Sequence, residues 1–183
     1  MIFQICSRPG AMERIRSAQL DTPTAHMELN YLTACIKETI RYSPPVGTPF
    51  PRISPPEGLR LGDIFIPAGF EAYAVGWSIH RSKDVFGDDA EDWNPERWFP
   101  IADVDQEQEK LRLGRMERSI YAWGYGPRIC IGRPLAEMES FTAIRRFLET
   151  FDVGLKVEPG FEDQPWYGLR RHRGMFVNLT KRE

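Results

Sequence analysis

The segment Trp123-Gly-Tyr-Gly-Pro-Arg-Ile-Cys130-Ile-Gly-Arg-Pro134 constrains this chain more than any other. A cysteine ends a glycine-rich loop and stands just ahead of a helix start. From about Arg133 a helix is predicted as far as Phe151, because Leu135, Met138, Phe141, Ile144, Leu148 and Phe151 step by three and four, with Phe147 beside them. Backbone N–H groups at such a start face the sulfur and the helix dipole favours negative charge, so both stabilise a thiolate. Gly126 and Gly132 leave room on either side for a flat, bulky group to approach the backbone. Arg128, two residues before the cysteine, is within reach of an anion beside that group.

Other chemistries compete for these residues. The commonest fate of a lone cysteine is a buried structural position. A phosphate loop is excluded: Gly124-Tyr-Gly126 lacks the third glycine of a dinucleotide loop, and no Gly-Lys-Ser/Thr occurs. A cysteine nucleophile wants a histidine partner, and nothing in the sequence singles out His26, His80 or His172. Cys6, Cys35 and Cys130 are an odd, widely spaced set, which rules out a disulfide scaffold and a CxxC zinc framework and fits a reducing compartment. With 26 acidic and 24 basic residues the formal charge is −2, which argues against a nucleic-acid-binding module. No segment approaches the ~18 apolar residues of a membrane span, and the opening MIFQICSRPG lacks the basic region of a secretory signal. The chain as given therefore reads as soluble, with no membrane segment.

The remaining chain divides into short elements. Ser7-Arg8-Pro9 reads as a helix start, followed by an apolar stripe of Met12, Ile15 and Leu20, which Thr22-Pro23-Thr24 breaks. Asn30 is placed to cap a second helix carrying Leu32, Cys35 or Ile36, and Ile40, which Ser43-Pro44-Pro45 stops. Residues 44–58 are a proline-rich extended loop. Leu59–Leu61, Ile64–Ile66 and Phe70–Val75 read as three strands separated by turns. A helical turn is expected over Trp77–Arg81, and residues 82–100 are loop-rich. Residues 103–118, charged with both signs, read as a solvated loop or surface helix, or as a docking face. Phe151–Val157 and Met175–Thr180 are predicted as two short strands around an irregular hairpin.

The cysteine segment resembles the haem-binding signature of the cytochrome P450 family, F-x-x-G-x-R-x-C-x-G. Gly126, Arg128, Cys130 and Gly132 fall in place, and Trp123 departs from the pattern where phenylalanine usually sits. Glu38-Thr-Ile-Arg41 is similar to the ExxR of the family's K helix, and Pro95-Glu96-Arg97-Trp98 to its PERF/PERW motif. His80-Arg81 and Val85-Phe86-Gly87-Asp88-Asp89-Ala90 resemble the stretch leading into that motif. The resemblance implies a mixed α and β fold, mostly α, with residues 1–183 forming a partial cytochrome P450 domain. In that reading Pro9–Leu20 corresponds to the J helix, 31–42 to the K helix, 58–75 to the β1 hairpin and 133–151 to the L helix. The family's N-terminal part, its C helix and its I helix lie outside the match, and no A-G-x-[DE]-T of the I helix occurs in the chain.

By the same resemblance Cys130 is the axial thiolate and metal ligand of haem iron, with Gly126, Gly132 and Trp123 beside it. Arg128 and Arg52 pair with the propionates, and Glu38, Arg41 and Arg97 form a buried structural network. Val46, Phe50, Trp166 and Leu169 line the pocket of an apolar substrate. Arg112, Arg115, Arg118, Arg145 and Arg146 are candidates for a face that meets an NADPH-dependent reductase. The implied function is a haem-thiolate monooxygenase present here as its C-terminal part. The alternatives are a truncated, non-catalytic product or a haem-thiolate isomerase or dehydratase. The implied parent of a eukaryotic member sits at the endoplasmic reticulum membrane, and activity of the isolated chain is doubtful without the I helix.

Overall fold

The computed structural model describes residues 1–18, 22, 24–46, 50–166 and 169–182, with backbone alone over 157–166 and 169–173. Two short helices open the chain, α1 (Ile2–Ser7) and α2 (Ala11–Ser17). The break between them differs from the predicted start at Pro9: the second helix begins after Gly10, whose φ of 76° suits a residue without a Cβ. Leu20 and Pro23 lie outside the described residues.

Helix α3 (Tyr31–Tyr42) is the centre of the molecule. Asn30 caps it in a reciprocal box: its side chain accepts from the Thr33 N–H (2.9 Å), and Thr33 Oγ1 accepts from the Asn30 N–H (2.9 Å). Burial runs almost all the way round it. Leu32, Cys35 and Ile36 join Ile5, Ile15, Phe141, Leu148 and Val153 in one core. Ala34 faces a second core with Phe86, Trp98, Met116 and Ile120. One helix therefore ties both halves together.

Four short strands follow: β1 (Arg52–Ile53), β2 (Leu59–Leu61), β3 (Ile64–Ile66) and β4 (Glu71–Ala72). β2 and β3 form an antiparallel hairpin, but β4 pairs with β1, not with β3. The third predicted strand thus returns to the proline-rich segment and anchors it. Two one-turn helices come next, α4 (Gly76–Ile79) and α5 (Lys83–Phe86), then a 3-10 turn at Pro95–Trp98 capped by Asn94.

The charged stretch forms helix α6 (Gln106–Arg118), and it is more than a solvated face. Glu109 is buried, accepts from the Ile101 N–H (2.9 Å) and pairs with Arg112 (2.6 Å). Those Arg112 hydrogen bonds hold the Glu109 carboxyl down at about 2, against the cost of burial. Arg112 also donates to the carbonyls of Arg97 (3.1 Å) and Phe99 (3.2 Å), so it clasps the Pro95–Trp98 turn and is not a spare docking cation.

Helix α7 (Arg133–Thr150) leads into a hairpin of β5 (Phe151–Trp166) and β6 (Leu169–Lys181). The strands are much longer than predicted. Pairing runs from Phe151↔Lys181 to Val157↔Met175, shifts, and resumes at Glu162↔Arg173. Pro159-Gly160 interrupts the ladder, since proline has no N–H to donate, but the chain continues outward beyond it. Arg16 closes the C-terminal end of α7, donating to the carbonyls of Leu148 (2.9 Å) and Phe151 (2.8 Å). Among the described residues no helix is long and apolar enough to cross a membrane.

A buried charge set joins α3 to everything that follows it. Glu38 is fully buried and accepts five hydrogen bonds, from Arg41 Nε (3.0 Å) and Nη2 (2.7 Å), the Asn94 N–H (2.8 Å), Arg97 Nε (3.0 Å) and Trp98 Nε1 (3.0 Å). Arg41 spends its other donors on the carbonyls of His80 (2.7 Å), Ala90 (2.6 Å) and Asp92 (2.7 Å). Arg97 reaches the Phe86 carbonyl and Asp89 Oδ1 (2.9 Å). Every charge is matched, which is the condition for ionised groups to persist out of water. His80, also fully buried, closes the set: Nδ1 donates to the Arg41 carbonyl (3.0 Å) and Nε2 accepts from the Tyr121 N–H (2.8 Å). Burial pushes the His80 imidazole down to about 4; the Arg41 and Arg81 charges add to this, and the bond to the Arg41 carbonyl opposes it.

Two outcomes are expected. Replacing Arg97 by alanine leaves Glu38 short of a partner in the interior and should cost about 3–5 kcal/mol in urea unfolding; a loss below about 1 kcal/mol would show the set to be solvated. His80 binds its proton less readily folded than unfolded. Stability is therefore full above the unfolded value near 6.5 and falls as pH drops toward 4, by about 3 kcal/mol over that window. The difference in urea midpoint between the parent and His80→Gln, followed from pH 7 to 4, reads that slope; parallel profiles would contradict it.

Candidate functional site

The cysteine loop is built by its backbone. Ile120 is buried in the second core and delivers the chain into a 3-10 turn, Tyr121–Trp123. Gly124 follows with φ of 75°, and a Cβ there would lie 3.1 Å from the Arg128 carbonyl oxygen, so glycine is needed for conformation and for space. Gly126 also has a positive φ, 62°, but a Cβ there would meet nothing within 4 Å. Its requirement is conformational, with open space beside it. The Ile129 N–H donates to the Gly126 carbonyl (3.0 Å), and the Cys130 N–H closes the loop onto the Trp123 carbonyl (2.7 Å). The Arg133 N–H then donates to the Cys130 carbonyl (3.2 Å) as α7 begins, with Gly132 as its cap and Pro134 in its first turn. A Cβ at Gly132 would stand 3.7 Å from Cys130 Sγ, an ordinary contact.

Side chains fix the loop at both ends. Arg133 pairs with Glu117 (3.1 Å) and Glu137 (2.8 Å), and Glu117 also pairs with Lys37 (2.9 Å), so the ends of α6 and α7 are tied to α3. At the other end the Tyr121 N–H is held by His80. His80 and Arg81 were visible in the sequence only as part of a family stretch. Their work is to satisfy the last carbonyls of α3, those of Arg41 and of Tyr42, the latter by Arg81 Nη2 (2.8 Å). No local sequence signal reveals that, because both partners are distant in the chain.

The predicted residues converge on one cavity of about 330 Å³. Cys130, Arg128, Trp123 and Arg52 line it together with Val46 and Phe50, and Pro44, Pro45, Ala74 and Tyr121 are among the residues that form the rest of the wall. Cys130 is exposed. Among the described residues none accepts a hydrogen bond from the Arg128 guanidinium, whereas Arg52 donates to the Pro51 carbonyl (2.9 Å) of its own loop. Gly126 and Gly132 are not part of the cavity wall. Glu38, Arg41 and Arg97 lie in the interior charge set, away from the wall, and His80 belongs to both. The side chains of Trp166 and Leu169 lie outside the described ones; their backbones pair at the end of the β5–β6 hairpin. Of the basic candidates, Arg115, Arg118 and Arg146 are exposed, and Arg145 pairs with Glu149 (2.7 Å).

A cavity lined by a cysteine, by a guanidinium with no acceptor among the described residues and by apolar side chains suits a flat, anionic cofactor that takes a sulfur ligand. Comparison with known proteins bears on this directly. A family model described as cytochrome P450 matches residues 11–177. "Cytochrome P450 monooxygenase esdpH" of Penicillium shearii is 35% identical over 156 residues, 85% of this chain and 29% of its own length. "Cytochrome P450 monooxygenase asR2" of Sarocladium schorii is 36% identical over 155 residues, covering 85% of this chain and 28% of the relative. "Cytochrome P450 monooxygenase pkfB" of Emericella nidulans is 31% identical over 191 residues, spanning all of this chain and 36% of the relative. The chain thus spans about a third of the length of the curated relatives it matches. The matched region takes in the charge set, the cavity wall and the cysteine loop together, and on that ground the chain belongs to the cytochrome P450 family.

Proposed function

We propose that residues 1–183 are the haem-binding C-terminal part of a cytochrome P450 domain, and that Cys130 is its iron ligand. The observation that carries this reading is the convergence of Cys130, Arg128, Arg52, Val46 and Phe50 on one cavity. The residues fit haem. An exposed cysteine suits iron, a guanidinium without an acceptor among the described residues suits a propionate, and the open side of Gly126 leaves the backbone approachable.

In this reading α3 corresponds to the family's K helix, α7 to its L helix, α2 to its J helix and the β2–β3 region to its β1 hairpin. When bound, thiolate-ligated haem supplies the chemistry of the family: one oxygen atom of O2 enters an apolar molecule and the other leaves as water, using two electrons and two protons. The chain's own residues position and insulate. Cys130 holds its sulfur at a point fixed by two backbone hydrogen bonds. Arg128 orients a carboxylate, Arg52 serves the second one by turning from its loop carbonyl, and Trp123 gives an aromatic wall. Val46 and Phe50 exclude water where an apolar substrate would lie, with Trp166 and Leu169 as further pocket residues. Arg115, Arg118 and Arg146 offer an exposed basic surface to an NADPH-dependent reductase. On the α7 side Ile131, Leu135 and Met138 are exposed, at 98%, 54% and 42%. We take this face to be covered by further parts of a complete P450, and catalytic turnover to require them.

The carbon monoxide difference spectrum of the haem-loaded protein tests the ligand directly. The unmodified protein should give the thiolate-type band and Cys130→Ala should lose it. Retention of that band in Cys130→Ala would remove the basis of the reading.

A further inference from the structure

His80 stands between the cysteine loop and the interior charge set and is hydrogen-bonded to both. It follows α4 and is fully buried. A carbonyl can only accept and a backbone N–H can only donate, so the bonds to the Arg41 carbonyl and the Tyr121 N–H fix one neutral tautomer, with the proton on Nδ1. Arg41 reciprocates through its guanidinium to the His80 carbonyl (2.7 Å). Tyr121 opens the turn whose last residue, Trp123, receives the Cys130 N–H (2.7 Å). The same junction is tightly packed: a Cβ at Gly76 would lie 3.3 Å from Tyr121 Cδ1, so the ring sits directly on α4.

We infer that His80 is a positioning residue for Cys130. It transmits the rigidity of the Glu38–Arg41–Arg97 set to the turn at 121–123 and so fixes where the cysteine backbone stands beside the cavity. The value of that placement for iron ligation rests on the haem reading above; the mechanical coupling does not.

Two partial mimics separate the halves of the imidazole. His80→Gln keeps an acceptor near the Nε2 position, and His80→Asn keeps a donor near Nδ1 but leaves the Tyr121 N–H without an acceptor. Amide hydrogen exchange of the 183-residue chain, without haem, reads both. In His80→Asn the Tyr121 and Cys130 amides should exchange roughly tenfold faster or more, as for one lost buried hydrogen bond, while α3 keeps its protection. His80→Gln should restore most of that protection. Unchanged exchange at Tyr121 and Cys130, equal acceleration through α3 and the loop, or equal rescue by both variants would overturn the inference. If the amides respond as expected but the haem-loaded parent shows no thiolate band, the coupling stands and the haem reading falls.

Discussion

The carboxylate of Glu38 is the point on which the rest of the structure depends. An ionised carboxylate fully out of water is tolerated only when its lone pairs are matched, and here five donors from α3, Arg97, Trp98 and the Asn94 backbone do so. Three of the donors, the Asn94 N–H, Arg97 Nε and Trp98 Nε1, come from a segment with little regular structure of its own. Residues 80–98 hold only one turn of α-helix and one 3-10 turn. Their carbonyls at His80, Phe86, Asp89, Ala90 and Asp92 are satisfied by Arg41 and Arg97 in place of a sheet or helix ladder. Two guanidinium groups thus do for this irregular region what backbone pairing does elsewhere.

From that fixed centre the site is assembled by short steps. α3 ends at the proline pair that begins the cavity wall, and its last carbonyls are closed by His80 and Arg81. His80 holds the turn before the cysteine loop, and Glu117 holds the helix after it through Arg133. The loop itself needs few side-chain contacts, because Gly124 and Gly126 adopt left-handed backbone and the Cys130 N–H closes it. The outcome is an exposed cysteine on a hydrogen-bonded backbone, with a cation and an apolar wall around the same cavity.

Much of this was legible in the sequence, for identifiable reasons. Asn30, the 3.6-residue spacing and Pro44-Pro45 define α3 locally, and the glycine spacing around Cys130 defines the loop. Glu38, Arg41 and Arg97 were legible only through family motifs, since Glu and Arg three apart on a helix are ordinarily a surface pair. What escaped depends on distant partners. His80 reads as an unremarkable histidine until Arg41 and Tyr121 stand on either side of it. Arg112 reads as one charge among many until Glu109 and two carbonyls claim it. The β5–β6 hairpin is legible only as the short strands Phe151–Val157 and Met175–Thr180, while the ladder resumes beyond them at Glu162↔Arg173 by long-range pairing. The stripe on α7 is legible as a period, but the period alone does not say which members are covered: Phe141 and Leu148 face the core, whereas Leu135 and Met138 do not.

The central claim is that this backbone presents the Cys130 sulfur, and no other, to a metal-bearing cofactor. Cys35 is fully buried, its thiol pushed by burial up to about 12, and Cys6 sits beside Met12 in the first core. X-ray absorption at the iron edge of the haem-loaded protein, with Cys6 and Cys35 replaced by alanine, tests this most directly. The account predicts one sulfur at thiolate bonding distance in addition to the porphyrin nitrogens. An iron shell of nitrogen and oxygen alone would contradict it.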